Sequence, residues 1–145
     1  MKEETRVAVV GGGPAGLMAA TVLSEAGLAV DIFEAKGSAG RKFLVAGRGG
    51  LNLTHSEPAE TFVGRYGNHA KVFKKLLAGF SPEDLRAWLR GLGIETFVGT
   101  SGRVFPKDAT APEILKIWLA ALGKRGVAFH YHHRWQGFSA TDAPL

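Results

Sequence analysis

The chain contains no cysteine. That excludes structural disulfides, cysteine-ligated zinc, cysteine-ligated iron–sulfur clusters and redox thiols, so any redox chemistry falls most simply to an organic cofactor. No apolar run is long enough to cross a bilayer, and Met1 to Arg6 is a short charged lead into the first apolar segment. Without a secretory, transit or membrane-spanning segment, the expected location is cytoplasmic and no membrane partner is expected. Internal repeats and low-complexity tracts are also absent. Acidic residues are outnumbered, 13 against 18 Lys and Arg, for a net charge of +5. A polyanionic partner suits that charge, but a phosphate-bearing cofactor satisfies it as well as a nucleic acid would. At 145 residues, 46% hydrophobic and 21% charged, the composition is that of an ordinary soluble globular domain with a sizeable core.

What the chain has is glycine in a telling place. Gly11-Gly12-Gly13-Pro14-Ala15-Gly16 follows directly on the apolar run Val7 to Val10. The pattern predicts a buried strand, a tight glycine corner, and a helix starting near Pro14. Gly11 permits the turn, Gly13 clears the backbone for a pyrophosphate, and Gly16 lets helix and strand approach closely. The N–H groups of the first helical turn, around Pro14 and Ala15, then face the phosphates. Leu17, Ala20, Leu23 and Ser24 are the expected inward positions, and Gly27 ends the helix. A second strand, Val30 to Phe33, carries Glu34 at its end, where a carboxylate can accept hydrogen bonds from the ribose of an adenine dinucleotide. The same carboxylate repels a 2′-phosphate, which disfavours NADP.

From Ala35 to Asn52 the sequence reads as a basic, backbone-exposing loop without helical period. Gly37, Gly40, Gly47, Gly49 and Gly50 alternate with Lys36, Arg41, Lys42 and Arg48, a composition suited to a second stretch of cofactor. His55 is expected in a loop. Helices are predicted over 68–80, with Phe73, Leu76, Leu77 and Phe80 inward, and from Ser81-Pro82, with Leu85, Trp88, Leu89 and Leu92 on one side. A short strand at 94–98, a turn at 99–102, the segment Arg103 to Pro106, and a third helix opened by the Thr110–Glu113 capping pair follow. Alternation from Gly126 to Phe138 predicts a half-buried strand with Val127, Phe129, Tyr131, His133 and Trp135 on one side. His130 and His132 would share the other side, but two histidines without a nearby carboxylate or cysteine make a poor metal site, and no metal is assigned.

A glycine-rich basic loop and helices, in place of an immediate third βα unit, resemble the order of an FAD-binding domain of the glutathione-reductase type more than that of a typical NAD domain. Four stretches then suggest a family: Val9 to Leu17, Gly40-Arg41-Lys42-Phe43-Leu44, Asn52-Leu53-Thr54 and Gly102-Arg103-Val104-Phe105-Pro106. Together they resemble the BaiN-like (YhiN-type) flavoproteins over essentially the whole chain. Leu51 stands where the family commonly has cysteine and the arginine is displaced to Arg48, so cysteine chemistry does not carry over.

The resemblance implies an α/β fold, a Rossmann-like FAD-binding domain with a parallel sheet and helices, incomplete here because family members are considerably longer. It divides the chain into a partial FAD/NAD(P)-binding domain over 1–138, with a helical insertion at about 68–125, and a tail at 139–145. It implies the FAD-binding part of a flavin-dependent oxidoreductase. The site would comprise Gly11, Gly13, Pro14, Ala15, Gly16, Glu34, Ala35, Lys36, Arg41 and Lys42, with Gly47, Gly49, Gly50 and Asn52 on the flavin side. Backbone near Arg134 and Trp135 would touch the adenine. NAD(P)H or another electron donor and a small-molecule substrate are the implied partners, and no residue is identified as a catalytic acid, base or nucleophile. Two other readings of the residues stand beside this one. An NAD-binding dehydrogenase domain would share the first βαβ unit but not the loop at 37–50. A nucleic-acid-binding module would use the basic balance but lacks a basic stripe with interleaved aromatics.

Overall fold

The computed structural model describes residues 5–139. Two compact units divide the chain, residues up to 45 together with those from 118 onward, and residues 46–117.

The first unit is built on a parallel sheet. Strand β1 (Arg6–Val10) leads through the glycine corner into helix α1 (Pro14–Glu25), and the chain returns as β2 (Ala29–Glu34). A third strand, β6 (Ala128–Tyr131), pairs parallel with the other edge of β2, giving the order β1-β2-β6. Along β2, Val30 and Ile32 are buried, as expected for a strand packed under helices. Leu17, Ala20 and Thr21 of α1 are buried, and Leu23 and Ser24 are half-buried. Thr21 is the inward position that the apolar pattern passes over. Its hydroxyl donates to the Leu17 carbonyl at 2.9 Å and accepts from Trp118 Nε1 at 2.9 Å, so both polar groups enter the core satisfied. Ala26 and Gly27 close α1 as predicted, Gly27 at φ +80°.

Asp31 is the second polar residue of this core. Its carboxylate receives His130 Nε2 at 2.7 Å and Arg6 Nη1 at 2.7 Å, and the hydrogen bond from His130, aided by the Arg6 charge, holds its pKa below the usual carboxylate range. A carboxyl depressed in the folded state stabilises above its unfolded pKa, and that contribution is lost as pH falls through the folded value. The acid limb of the stability curve, below about pH 4, should therefore be shallower in Asp31→Asn than in the parent. Thermal melts at stepped pH check this, and superimposable limbs would remove Asp31 from the acid response.

The second unit has its own antiparallel sheet. Strands β3 (Thr54–His55), β4 (Thr96–Val98) and β5 (Arg103–Pro106) lie in the order β3-β5-β4, with Phe97 opposite Phe105. His55 thus sits in a short strand rather than a loop, its Nε2 at 3.0 Å from the Ser101 carbonyl and its Nδ1 accepting from the Glu57 N–H at 3.1 Å. Helix α3 (Ala59–Gly64) was not foreseen; α4 (Ala70–Gly79) and α5 (Pro82–Gly91) were. Ser81 and Asp84 form a full capping box on α5. Along α4, Leu76 and Phe80 are exposed rather than inward, and Phe73, stacked on Tyr66 with ring centroids 3.6 Å apart, makes the packing contact. Helix α6 (Ala111–Lys124) begins where Glu113 accepts from the Thr110 N–H and hydroxyl, as the capping spacing predicts. It gives Ile114 and Leu115 to the core of the second unit, and Trp118 and Leu122 to that of the first.

Further sequence expectations are corrected. The first strand, expected to be buried, lies at the sheet edge with Arg6, Ala8 and Val10 exposed. The stretch read as an uninterrupted loop contains helix α2 (Arg41–Ala46), a segment too short to display a period between its flanking glycines. The final strand covers four residues rather than 126–138, because His132 turns to φ 61°, a left-handed conformation that no extended strand accommodates. Arg134 and Trp135 therefore lie beyond the strand.

Candidate functional site

The corner between β1 and α1 is tied to its surroundings by three backbone bonds. Gly11 N–H donates to the Phe33 carbonyl at 2.8 Å, Leu17 N–H to the Gly13 carbonyl at 2.9 Å, and Gly40 N–H to the Gly12 carbonyl at 2.7 Å. Gly11 stands at φ +101°, outside the range a side chain tolerates, and a Cβ at Gly16 would collide with the Gly11 carbonyl oxygen. At Gly13 a Cβ would meet nothing within 4 Å. The roles of Gly11 and Gly16 are thus internal to the turn, while Gly13 faces open space. Gly13 is the N-cap of α1, no side chain caps that end, and Pro14 opens the helix without an N–H to satisfy. The first turn carries no acidic residue of its own, and its N–H groups present a partial positive charge outward.

Glu34 closes the other side. Its Oε2 accepts from the Gly12 N–H at 2.7 Å and its Oε1 from the Lys36 N–H at 2.8 Å, which locks the carboxylate at the end of β2. Each oxygen keeps a lone pair for a further donor. Gly13, Glu34, Lys36, Ser38, Arg41 and Lys42 line one cavity of about 350 Å³. Five of these six residues are among those the sequence singles out; Ser38 is not. Missed as well were Gly12 and Gly40, both buried, whose backbone bond joins the glycine corner to the loop after β2. Their signal was the third glycine in a row and the glycine just before Arg41. Ala35 sits between Glu34 and Lys36, half-buried.

The remaining predicted residues lie elsewhere. Arg134 and Trp135 line a separate cavity of about 750 Å³ in the first unit with Val10, Phe33, His133 and Phe138. The preceding residues are fastened to the end of β2, His132 N–H donating to the Lys36 carbonyl at 3.1 Å and His133 N–H to the Glu34 carbonyl at 2.9 Å. Gly47, Gly49 and Gly50 belong to the second unit and border a cavity of about 560 Å³ there. Asn52, with its amide oriented to satisfy both groups, donates to the Thr54 carbonyl at 2.9 Å and the Val104 carbonyl at 3.3 Å, within the β3–β5 pairing. Among the described residues no helix is long and apolar enough to cross a membrane.

A strand, a glycine corner against an uncapped helix N-terminus, and an acid closing the second strand define a dinucleotide-binding Rossmann unit. The chain belongs to the HI0933-like protein family, whose Rossmann domain matches residues 5–144; these are the BaiN/YhiN-type flavoproteins, and their cofactor is FAD. Among solved structures it is similar to THI4 of Thermovibrio ammonificans, at 25% identity and a TM-score of 0.55, over 88% of this chain and 38% of that one. It also matches CabE, an aromatic hydroxylase from angucycline biosynthesis, at 21% identity and TM-score 0.47, over 91% of this chain and 24% of that one. The L-amino acid deaminase of Proteus vulgaris matches at 19% identity and TM-score 0.46, over 97% of this chain and 43% of that one. The chain therefore spans well under half the length of these proteins.

The first unit fits the pyrophosphate and adenosine ribose of FAD. The open ground in front of Gly13 and the cations Lys36, Arg41 and Lys42 around one cavity suit a pyrophosphate, and the fixed Glu34 carboxylate suits a diol without a phosphate on it.

Proposed function

We propose that this domain holds FAD for a flavin-dependent oxidoreductase, with the adenosine end at Glu34. The observation that carries the reading is the Glu34 carboxylate, braced by two backbone N–H groups on the rim of the cavity shared with Gly13, Arg41 and Lys42. In this reading Gly11 and Gly16 shape the turn, Gly13 admits the pyrophosphate, and the first turn of α1 at Pro14 and Ala15 directs its N–H groups at it. Lys36, Arg41 and Lys42 offset phosphate charge, Ala35 flanks the ribose, and backbone near Arg134 and Trp135 contacts the adenine. Gly47, Gly49, Gly50 and Asn52 serve the flavin side. FAD supplies the electron transfer when bound, and the chain orients it. NAD(P)H or another donor reduces it, and the substrate is a small molecule.

Purification of the full-length protein with a yellow chromophore that heat releases as FAD is the expected result. A colourless protein stabilised by NAD and not by FAD would overturn the assignment. Glu34→Ala is expected to weaken FAD binding roughly 10- to 100-fold, the loss typical of charge-assisted hydrogen bonds. Because Glu34 also braces Gly12 and Lys36, the melting temperature of the cofactor-free variant is measured alongside. Unchanged FAD affinity would remove Glu34 from the site.

A further inference from the structure

Helix α4 carries apolar residues on two sides. Phe73 and Leu77 are half-buried, and Phe73 stacks on Tyr66, so that side is packed within residues 46–117. On another side Val72 is 56% and Leu76 58% exposed, one helical turn apart, and Phe80, 41% exposed, follows four residues later at the C-cap. Lys71 and Lys75 immediately precede Val72 and Leu76, Lys74 is the third cation, all three are exposed, and the helix contains no acidic residue. Among the described residues no ion pair engages these ammonium groups. The acids that open the next helix are already occupied, Glu83 by Arg86 and Arg90, and Asp84 by the Ser81 capping box. An exposed apolar row bordered by unpaired positive charge is complementary to an apolar row bordered by carboxylates.

We propose that the row of Val72, Leu76 and Phe80 docks an acidic amphipathic helix of a partner protein, its apolar side chains against the row and its carboxylates against Lys71 and Lys75. The inference is carried by α4 and does not rest on the cofactor reading. A row of side chains four residues apart is the ridge by which packed helices interlock. A helix lying in an anionic bilayer turns a broad apolar face outward. Helix α4 instead commits Phe73 and Leu77 inward and offers only this narrow row. A second copy in a two-fold contact would set the lysines against their own equivalents.

The probe is a fluorescent peptide of about 21 residues, long enough to hold a helix in water, with a stripe of leucines bordered by glutamates. Anisotropy titration with the 145-residue protein is expected to show saturable binding. Leu76→Ala should weaken it roughly three- to tenfold, since part of that side chain is already covered. Lys75→Glu should weaken it roughly two- to tenfold at low salt, and added salt should narrow the difference. Both positions are exposed, so the melting temperature and the FAD affinity of each variant should match the parent, and loss of docking is read separately from loss of cofactor binding. No saturable binding, equal binding of a peptide with lysine in place of glutamate, or an affinity indifferent to either variant overturns the proposal. Binding to phosphatidylserine vesicles without binding to the peptide overturns it in favour of a bilayer. A dimer in sedimentation that Leu76→Ala dissolves overturns it in favour of a second copy.

Discussion

Gly16→Ala is expected to cost about 3 kcal/mol of stability or more, the upper end of what an overpacked site loses. The added methyl would fall on the carbonyl oxygen of Gly11, and its next neighbours are the Gly11 carbonyl carbon at 3.1 Å and Val9 Cγ1 at 3.3 Å. A flexible side chain could move aside; a carbonyl held in the β1–α1 corner cannot, because Gly11 N–H is itself bonded to Phe33 of the neighbouring strand. Denaturant melts of the cofactor-free protein check the loss. Gly13→Ala provides the contrast. Its methyl meets nothing and its backbone, at φ −78°, accepts alanine, so stability should fall only by the roughly 0.5–1 kcal/mol of a poorer N-cap while FAD affinity drops. If the two variants behave alike in both assays, the division of labour between the glycines is wrong.

Trp118→Ala should be equally damaging, by about 3–5 kcal/mol, the usual cost of emptying a large aromatic from a core. Trp118 is 3% exposed, sits edge-on to Phe43 at 6.3 Å, and donates to a threonine ninety-seven residues earlier in the chain. Trp118→Phe isolates the polar part. It leaves Thr21 bonded to Leu17 and removes one neutral hydrogen bond, for about 1 kcal/mol beyond the lost volume. Melts of both variants provide the measurement, and a near-native Trp118→Ala would mean that the α1–α6 packing is not a stability determinant.

The parts of the molecule legible in the sequence were those whose signals are local. Gly11, Gly13, Gly16 and Glu34 lie within one βαβ unit, and their spacing alone places the corner and the acid that closes it. The N-cap at Ser81 and the capping pair at Thr110 were legible for the same reason, being motifs of four consecutive residues. What escaped depends on distant partners or on segments too short to show a period. Asp31 looks like an exposed strand residue until His130 and Arg6 are brought to it, and Thr21 looks like the polar side of α1 until Trp118 arrives. Helix α2 has six residues, fewer than two turns, and the alternation after Tyr131 continues in the sequence although His132 has already turned the chain.

The position of β6 has a consequence for how the molecule is made. β6 pairs with β2 in parallel, and its His130 meets an aspartate ninety-nine residues back, so the first sheet gains its third strand only after the whole of 46–117 has left the ribosome. The entropy of closing that loop grows slowly with its length, by only about 0.6 kcal/mol per doubling. Until β6 emerges, the edge of β2 that it covers has no partner strand in the nascent chain.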